Sequence, residues 1–529
     1  MIAERLLFAP CHRQLRWSIF FFIVPFLYSR INGSYYHRST QTIEQAMGQA
    51  WDDEITQPGS TFKKVVVGFN CNVDLVAPGV RLIESLNTTC DQSKSHETID
   101  SLPELHETFA YFFQKGAAAE RYVTSADVFS TLVKTAEKTR KSHRQLGGNA
   151  AIMAERIASS FPATDVYLVG PIGPRSQALL HPAVKRANST RIVKDELHVI
   201  LEYKQGEILA DWVSPGSSSF ITSHDVFSGS TLVMEMLFKS VSQFKPDLVI
   251  VAGVHLLEYQ DKEARMDKLQ LLRRNILQIS PKIIPHIDSL GINEQELAYL
   301  CHMTGGPYMD EYPIQAGTTH PHKVVEMLFW LMKTFGRDTK DPNSANSKHR
   351  LQRIHFHCMT YHIMVSVGTD WSNLAAALAA GARIAGKISC NVEEAHLSDV
   401  LELRMSHSFP LDKHLGKTYT FDPHNPLASW LRDDVVFVFT PVLVCKYPVK
   451  TVGIDDLISA TALMHSNFYR VVQISSVSDQ IPPYLNSWLS IQLFIKNLKG
   501  CLFQRENVQL LIITALIVIS SFFLPTIEV

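Results

Sequence analysis

The sequence predicts an α/β fold: a mainly parallel central sheet with helices on both faces, and a small β-rich lid over its open end. Three observations carry this. Short apolar strands alternate with helical patterns along the chain, the signature of βαβ units. Residues 246–253 (PDLVIVAG) are apolar almost throughout, as a strand covered on both faces should be. Residues 197–203 alternate, and Gln205-Gly206 separates them from a second alternating run. That pair reads as a hairpin and breaks the parallel pattern.

The elements follow in order. Residues 63–68 (KKVVVG) form a β-branched run ending in glycine, a buried strand. Residues 103–113 read as a helix, and Gly147-Gly148 opens a second over 149–159. A strand is expected at 165–170, an amphipathic helix at 262–279, and further strands at 283–287, 354–358 and 435–439. Residues 374–385 form an Ala-rich helix, and 337–350 an exposed loop.

Composition narrows the class. Of 529 residues, 46% are apolar and 19% charged, as in a globular enzyme, and the net charge of -1 gives no pull toward nucleic acid. The eight cysteines contain no Cys-x-x-Cys pair, which argues against a zinc ribbon or thioredoxin-type site. Both ends carry membrane signals. Residues 17–28 (WSIFFFIVPFLY) follow Arg13 and Arg16, the layout of a secretory signal. The division expected is a signal peptide or N-terminal anchor over 1–31, a linker over 32–60, the main domain over 61–470, a linker over 471–506 and a transmembrane helix over 507–527. The competing readings are a buried N-terminal strand and an apolar C-terminal helix packed on the domain. Sequons at Asn32, Asn87 and Asn188 fit a lumenal chain. The location expected is the secretory pathway, in the endoplasmic reticulum lumen or membrane, with the protein held to the membrane by a hydrophobic end and otherwise a monomer.

Chemistry concentrates at Thr451-Val452-Gly453-Ile454-Asp455-Asp456. A glycine turn into a helix start exposes backbone N–H groups where the dipole favours phosphate. An aspartate there could take a proton from an attacking hydroxyl; a plain helix cap with paired aspartates is the competing reading. His355 and His357 alternate on one strand and share a face, which fits core packing better than a metal pair. The run from Gly381 to Lys387 imitates a phosphate loop but lacks the Ser/Thr and continues a helix.

The motif TVGIDDLIS resembles the catalytic signature of ribokinase-like sugar kinases. The blocks GFNCNVDLV, KGAAAERY, GGNAA, ELHVILEY, PDLVIVAGVHLLE, SLGINEQEL and RIHFH resemble ADP-dependent glucokinases of animal type. The resemblance spans roughly residues 62–466 and implies a three-layer αβα core. It implies D-glucose as acceptor, Mg-ADP as phosphoryl donor and AMP as product. By resemblance, Asp456 is the base and Gly453 shapes the anion hole. Asn70, Asp74, Glu120, Gly148 and Asn149 are sugar-binding. Val442, Val452 and His355 flank the nucleotide, and Glu296 with Asp456 serves Mg2+.

Three departures stand against that pattern. Asp455 occupies the family's second glycine, adding a Cβ and a charge. A strand, a helix and one magnesium-organising glutamate are missing between Ile279 and Ile287. Ser219 stands where relatives tend to have arginine. These departures favour a rival reading, a membrane-anchored pseudokinase that keeps the fold. Intact Asp456, Asn70, Asp74, Glu120 and Glu296 oppose it.

Overall fold

The computed structural model describes residues 41–55 and 62–469, the latter with gaps at 90–91, 187–189, 229, 254–283, 285–286, 313–318, 339, 342–343, 392–396 and 451, together with 513–514. The chain enters through α1 (Ile43–Glu54), where the sequence suggested only a linker. The helix forms because Thr42 and Gln45 cap it reciprocally. Met47 and Trp51 then sink into the domain, and the Trp51 indole N–H donates to Thr440 Oγ1 at 2.9 Å.

The first half of the domain contains β1 (Lys64–Gly68), β2 (Asn72–Pro78), α2 (Leu102–Lys115), β3 (Ala119–Val123), β4 (His143–Gly147), α3 (Asn149–Ser160) and β5 (Asp165–Val169). Then come β6 (Leu197–Tyr203), β7 (Ser218–Ser223), α4 (Thr231–Phe244) and β8 (Leu248–Val251). The second half holds β9 (Ser289–Asn293), α5 (Glu294–Thr304), α6 (Pro321–Phe335), β10 (Arg353–His357), β11 (Tyr361–Val367), α7 (Leu374–Cys390), β12 (Ala428–Arg432), β13 (Val435–Pro441) and α8 (Ile454–His465).

Strands β8, β1 and β5 run parallel in one sheet, with Val66 opposite Val249 and Tyr167. Side chains alternate across it. Val66 packs with Val233 and Leu237 of α4, whereas Val65 and Val67 pack with α3 and with Ala460, Leu463 and Met464 of α8. This is the three-layer αβα arrangement the resemblance implied. Full burial of such side chains contributes roughly 1.5–3 kcal/mol each.

The central layer departs from a single sheet. Strands β9, β10, β11, β13 and β12 form a second five-stranded sheet, in which only β9 and β10 are parallel. Most residues between Val251 and Ser289, where the resemblance led to the expectation of a lost strand and helix, lie outside those described. Of the strand expected at 283–287, residues 283, 285 and 286 lie outside those described; the next strand described along the chain is β9, whose Leu290 and Ile292 are buried.

The lid is larger than one hairpin. Thr98–Ile99, β3, β7, β6, β2 and β4 make a six-stranded sheet backed by α2. The calls on 1–31 and 471–506, the helix at 262–279 and most of 507–527 lie outside the described residues. Ile513–Thr514 is described, and it is a short strand parallel to β8 instead of part of a helix. No helix among the described residues is long and apolar enough to cross a membrane.

Phe109 anchors the lid core, with its ring centroid 5.7 Å from Phe113, 5.8 Å from Tyr203 and 6.1 Å from Phe220. Phe109→Ala should therefore cost about 3–5 kcal/mol in urea unfolding. A loss below about 1 kcal/mol would show that the lid does not depend on this cluster.

Candidate active site

Strand β13 runs through Leu443–Cys445 and a loop into Gly453, the N-cap of α8. Gly453 has φ +74°, and a Cβ there would lie 2.7 Å from Ile152 Cδ1. Only glycine suits the turn. The first-turn amides of α8 lack helical acceptors by construction and form an anion-favouring end.

Asp456 lies in that turn and is 3% exposed. Asn149 Nδ2, at the start of α3, donates to both its oxygens at 3.1 Å each. Asn149 Oδ1 accepts from Asn70 Nδ2 at 3.0 Å, and Asn70 Oδ1 accepts from the Ala150 amide at 2.9 Å. The end of β1, the start of α3 and the start of α8 are thus tied through side-chain amides. The structure places Asn70 and Asn149 with Asp456. Burial pushes Asp456 up to about 7; Asn149 opposes this, Asp455 adds to it, and His357 and Lys450 oppose it. A carboxyl titrating near neutrality suits a proton acceptor.

The lid contributes a second polar group. Asp74 on β2 is 3% exposed and accepts from Asn72 Nδ2 at 2.7 Å. It is paired in register with Gln145 and His198 on the flanking strands. Burial raises Asp74 to about 6, against the pull of His198, Asn72, Gln145 and Lys450. A Cβ at Gly147 would sit 2.0 Å from Asp74 Oδ1, and Gly148 (φ +88°) turns the chain into α3, so both must be glycine. Glu120 is 4% exposed and receives Ser223 Oγ at 3.5 Å. Burial works against a charge on His198, but Asp225 at 2.9 Å, with Glu120 and Asp74 nearby, lifts it to about 10.

His198, Gln145 and Lys450 were not singled out from sequence. Lys450 is largely buried, which lowers its proton affinity, and the charges of Asp74 and Asp456 both restore it. It is therefore a cation between the lid group and the base. The signal for His198 was a titratable side chain in an otherwise apolar alternating strand; for Lys450 it was a basic residue just before the glycine turn.

Glu296 closes the reciprocal cap of α5, with Oε2 accepting from the Asn293 amide at 2.8 Å. Its Oε1 is buried without a hydrogen-bond partner. Burial holds it well above the ordinary carboxyl range; the Asn293 amide opposes this, and Asp455 and Asp456 add to it. No group of three ligating side chains among the described residues forms a ready metal cage. An orphaned carboxylate oxygen on a group that feels the charges of Asp455 and Asp456 still fits a cation that keeps most of its waters, as Mg2+ does.

Other expected positions fall elsewhere. His355 is fully buried, neither ring nitrogen has a partner, and burial, with the neighbouring His357, His362 and Arg353, holds its proton affinity well below normal. Gly381 of α7 lies against the ring. His355 is thus packed in the core against α7. Val442 is also core, 2% exposed, whereas Val452 is half-buried beside Gly453. Ser219 is buried on β7 opposite Glu202. Gly381 and Lys387 lie inside α7, so no phosphate loop exists there. A disulfide unforeseen from sequence, Cys390–Cys445, ties the end of α7 to the strand that feeds the catalytic turn.

Asn149→Ala removes a donor that favours ionised Asp456. The Asp456 midpoint, followed by carboxyl 13C NMR, should rise by roughly 1–2 pH units. An unmoved midpoint would remove Asn149 from the charge balance of the site.

The family model of the ADP-specific phosphofructokinase/glucokinase conserved region matches residues 63–283 and 272–465. The two matches overlap over residues 272–283. A probable ADP-dependent glucokinase of Caenorhabditis elegans is 60% identical over 489 residues, covering 88% of this chain and 97% of the relative. The ADP-dependent glucokinase of Bos taurus is 34% identical over 450 residues, covering 80% and 89%. A solved ADP-dependent kinase in complex with fructose 6-phosphate and ADPβS superposes with a TM-score of 0.56 at 15% identity, covering 80% of this chain and 97% of that one; it supports the fold alone. The chain belongs to the ADP-specific phosphofructokinase/glucokinase family.

Proposed function

We propose that this chain phosphorylates D-glucose at its 6-hydroxyl, using ADP as donor and releasing AMP. The observation that carries the reading is the buried Asp456 carboxylate, held by Asn149 at a glycine-opened helix start, with Lys450 coupled electrostatically both to it and to Asp74 of the polar lid group. Buried carboxylates and amides in a lid suit the neighbouring hydroxyls of a sugar. The identities to relatives named as glucokinases support glucose over a sugar phosphate.

In this mechanism Asp74 and Glu120 accept hydrogen bonds from sugar hydroxyls, while Asn72 and Gln145 fix the Asp74 carboxylate. Asp456 takes the proton of the 6-hydroxyl as that oxygen bonds to the β-phosphorus. The bond from the β-phosphorus to the bridging oxygen breaks, and AMP leaves with the electron pair. The first-turn amides of α8 stabilise the charge that develops on the phosphoryl oxygens, and Lys450 adds a nearby cation. Glu296 and Asp456 would hold Mg2+, which when bound neutralises phosphate charge.

Purified protein given ADP, Mg2+ and glucose should form AMP and glucose 6-phosphate in equal amounts, and Asp456→Asn should lower turnover by about 10²–10⁴-fold. Preference for fructose 6-phosphate would refute the glucose assignment. A second reading, a pseudokinase that binds sugar without transferring phosphate, draws on Asp455 and on the broken family match at residues 272–283. Glucose binding with no AMP formed by the wild-type chain would establish it.

We infer also that the domain is lumenal. The basic-flanked apolar run at 17–28 and the Cys390–Cys445 disulfide support this, since such bonds persist in oxidising compartments. In sealed microsomes the domain should resist added protease until detergent is present. Digestion without detergent would contradict a lumenal domain.

A further inference from the structure

Asp455 introduces a carboxylate beside the amides that must receive a phosphoryl group. Like charges held a few ångströms apart repel strongly even at a surface-like effective dielectric. An unrestrained Asp455 would therefore oppose nucleotide binding. The side chain is 52% exposed, so it is not confined by packing.

A partner lies close by. His357, at the end of β10, is 4% exposed, and its Nδ1 lies 3.5 Å from Asp455 Oδ1. Its other nitrogen, Nε2, lies 3.3 Å from the Ser459 hydroxyl one turn along α8. With that hydroxyl donating to Nε2, the ring keeps a proton on Nδ1 for Asp455. The ring is held from behind as well, with centroids 5.5 Å from His355 and 6.1 Å from His362. Both neighbours are fully buried, so the imidazole has little freedom to turn away.

We propose that His357 is a positioning residue that holds the Asp455 carboxylate toward β10 and away from the phosphoryl path. The device makes tolerable a substitution that would otherwise block the anion hole. It rests on the kinase reading above, and it gives His357 a role only in a chain that carries Asp455. A purely structural histidine would matter equally whichever residue stood at 455.

The test is a double-mutant cycle with ADP as the probe, read by isothermal titration calorimetry on the whole chain, with melting temperatures measured in parallel. His357→Asn should weaken ADP binding about tenfold in the native background and less than about twofold in the Asp455→Gly background. Asp455→Gly alone should bind ADP at least as well as the native chain. An equal loss in both backgrounds would overturn the proposal, as would no loss in the native one. A lowered melting temperature with the same loss in both backgrounds marks His357 as structural only. If none of the four proteins binds ADP, the kinase reading itself fails, and this inference falls with it.

Discussion

Keeping a nearly buried carboxylate ionised near neutral pH is the constraint from which the rest of this site follows. Burial opposes the charge on Asp456, and a lone buried carboxylate would simply take up a proton. Asn149 counters this by donating to both oxygens, and Asn70 holds Asn149 in place. Lys450, in the segment that leads into α8, adds a positive charge. The balance rests at about 7, where the group can both accept and release a proton. Each contributor comes from a different element, so the base depends on the αβα layers being assembled.

The same logic explains why small residues recur around it. Gly147, Gly148 and Gly453 sit where backbone, carboxylate and helix start approach too closely for a Cβ. Asp455 breaks that rule. It places a charge where the resemblance leads to the expectation of glycine, and His357 Nδ1 lies 3.5 Å from it. The buried imidazoles of His355 and His362 are part of this packing, and neither ring has a hydrogen-bond partner on either nitrogen.

Much of the frame was legible in the sequence because periodicity reports burial directly. The continuous apolar run before Gly253 became a strand in a parallel sheet, and the alternation at 197–203 became a lid strand. Helix α1 was missed because its amphipathic signal is short, resting on Met47 and Trp51 within a polar segment. Strand β9 was not read from the sequence, because Ser289, Gly291 and Asn293 interrupt its apolar side chains although Leu290 and Ile292 are buried. At the site, a motif located Asp456 and Glu296. The pairing of Asn149 with Asp456, 307 positions apart, has no local signature. Nor does the pairing of His357 with Asp455, or the Cys390–Cys445 bond, which no spacing rule announces.

The central claim is that Asp456 must be ionised to act and that its environment sets where it ionises. The most direct measurement is the turnover rate of ADP-dependent glucose phosphorylation across roughly pH 5.5–8.5 at saturating substrates. A raised carboxyl is protonated below its midpoint, and a protonated Asp456 cannot accept the hydroxyl proton. Turnover should therefore fall about tenfold per pH unit as pH drops below about 7. A rate that stays level down to about pH 5.5 would contradict the account, because an ordinary, solvent-like carboxylate would already serve.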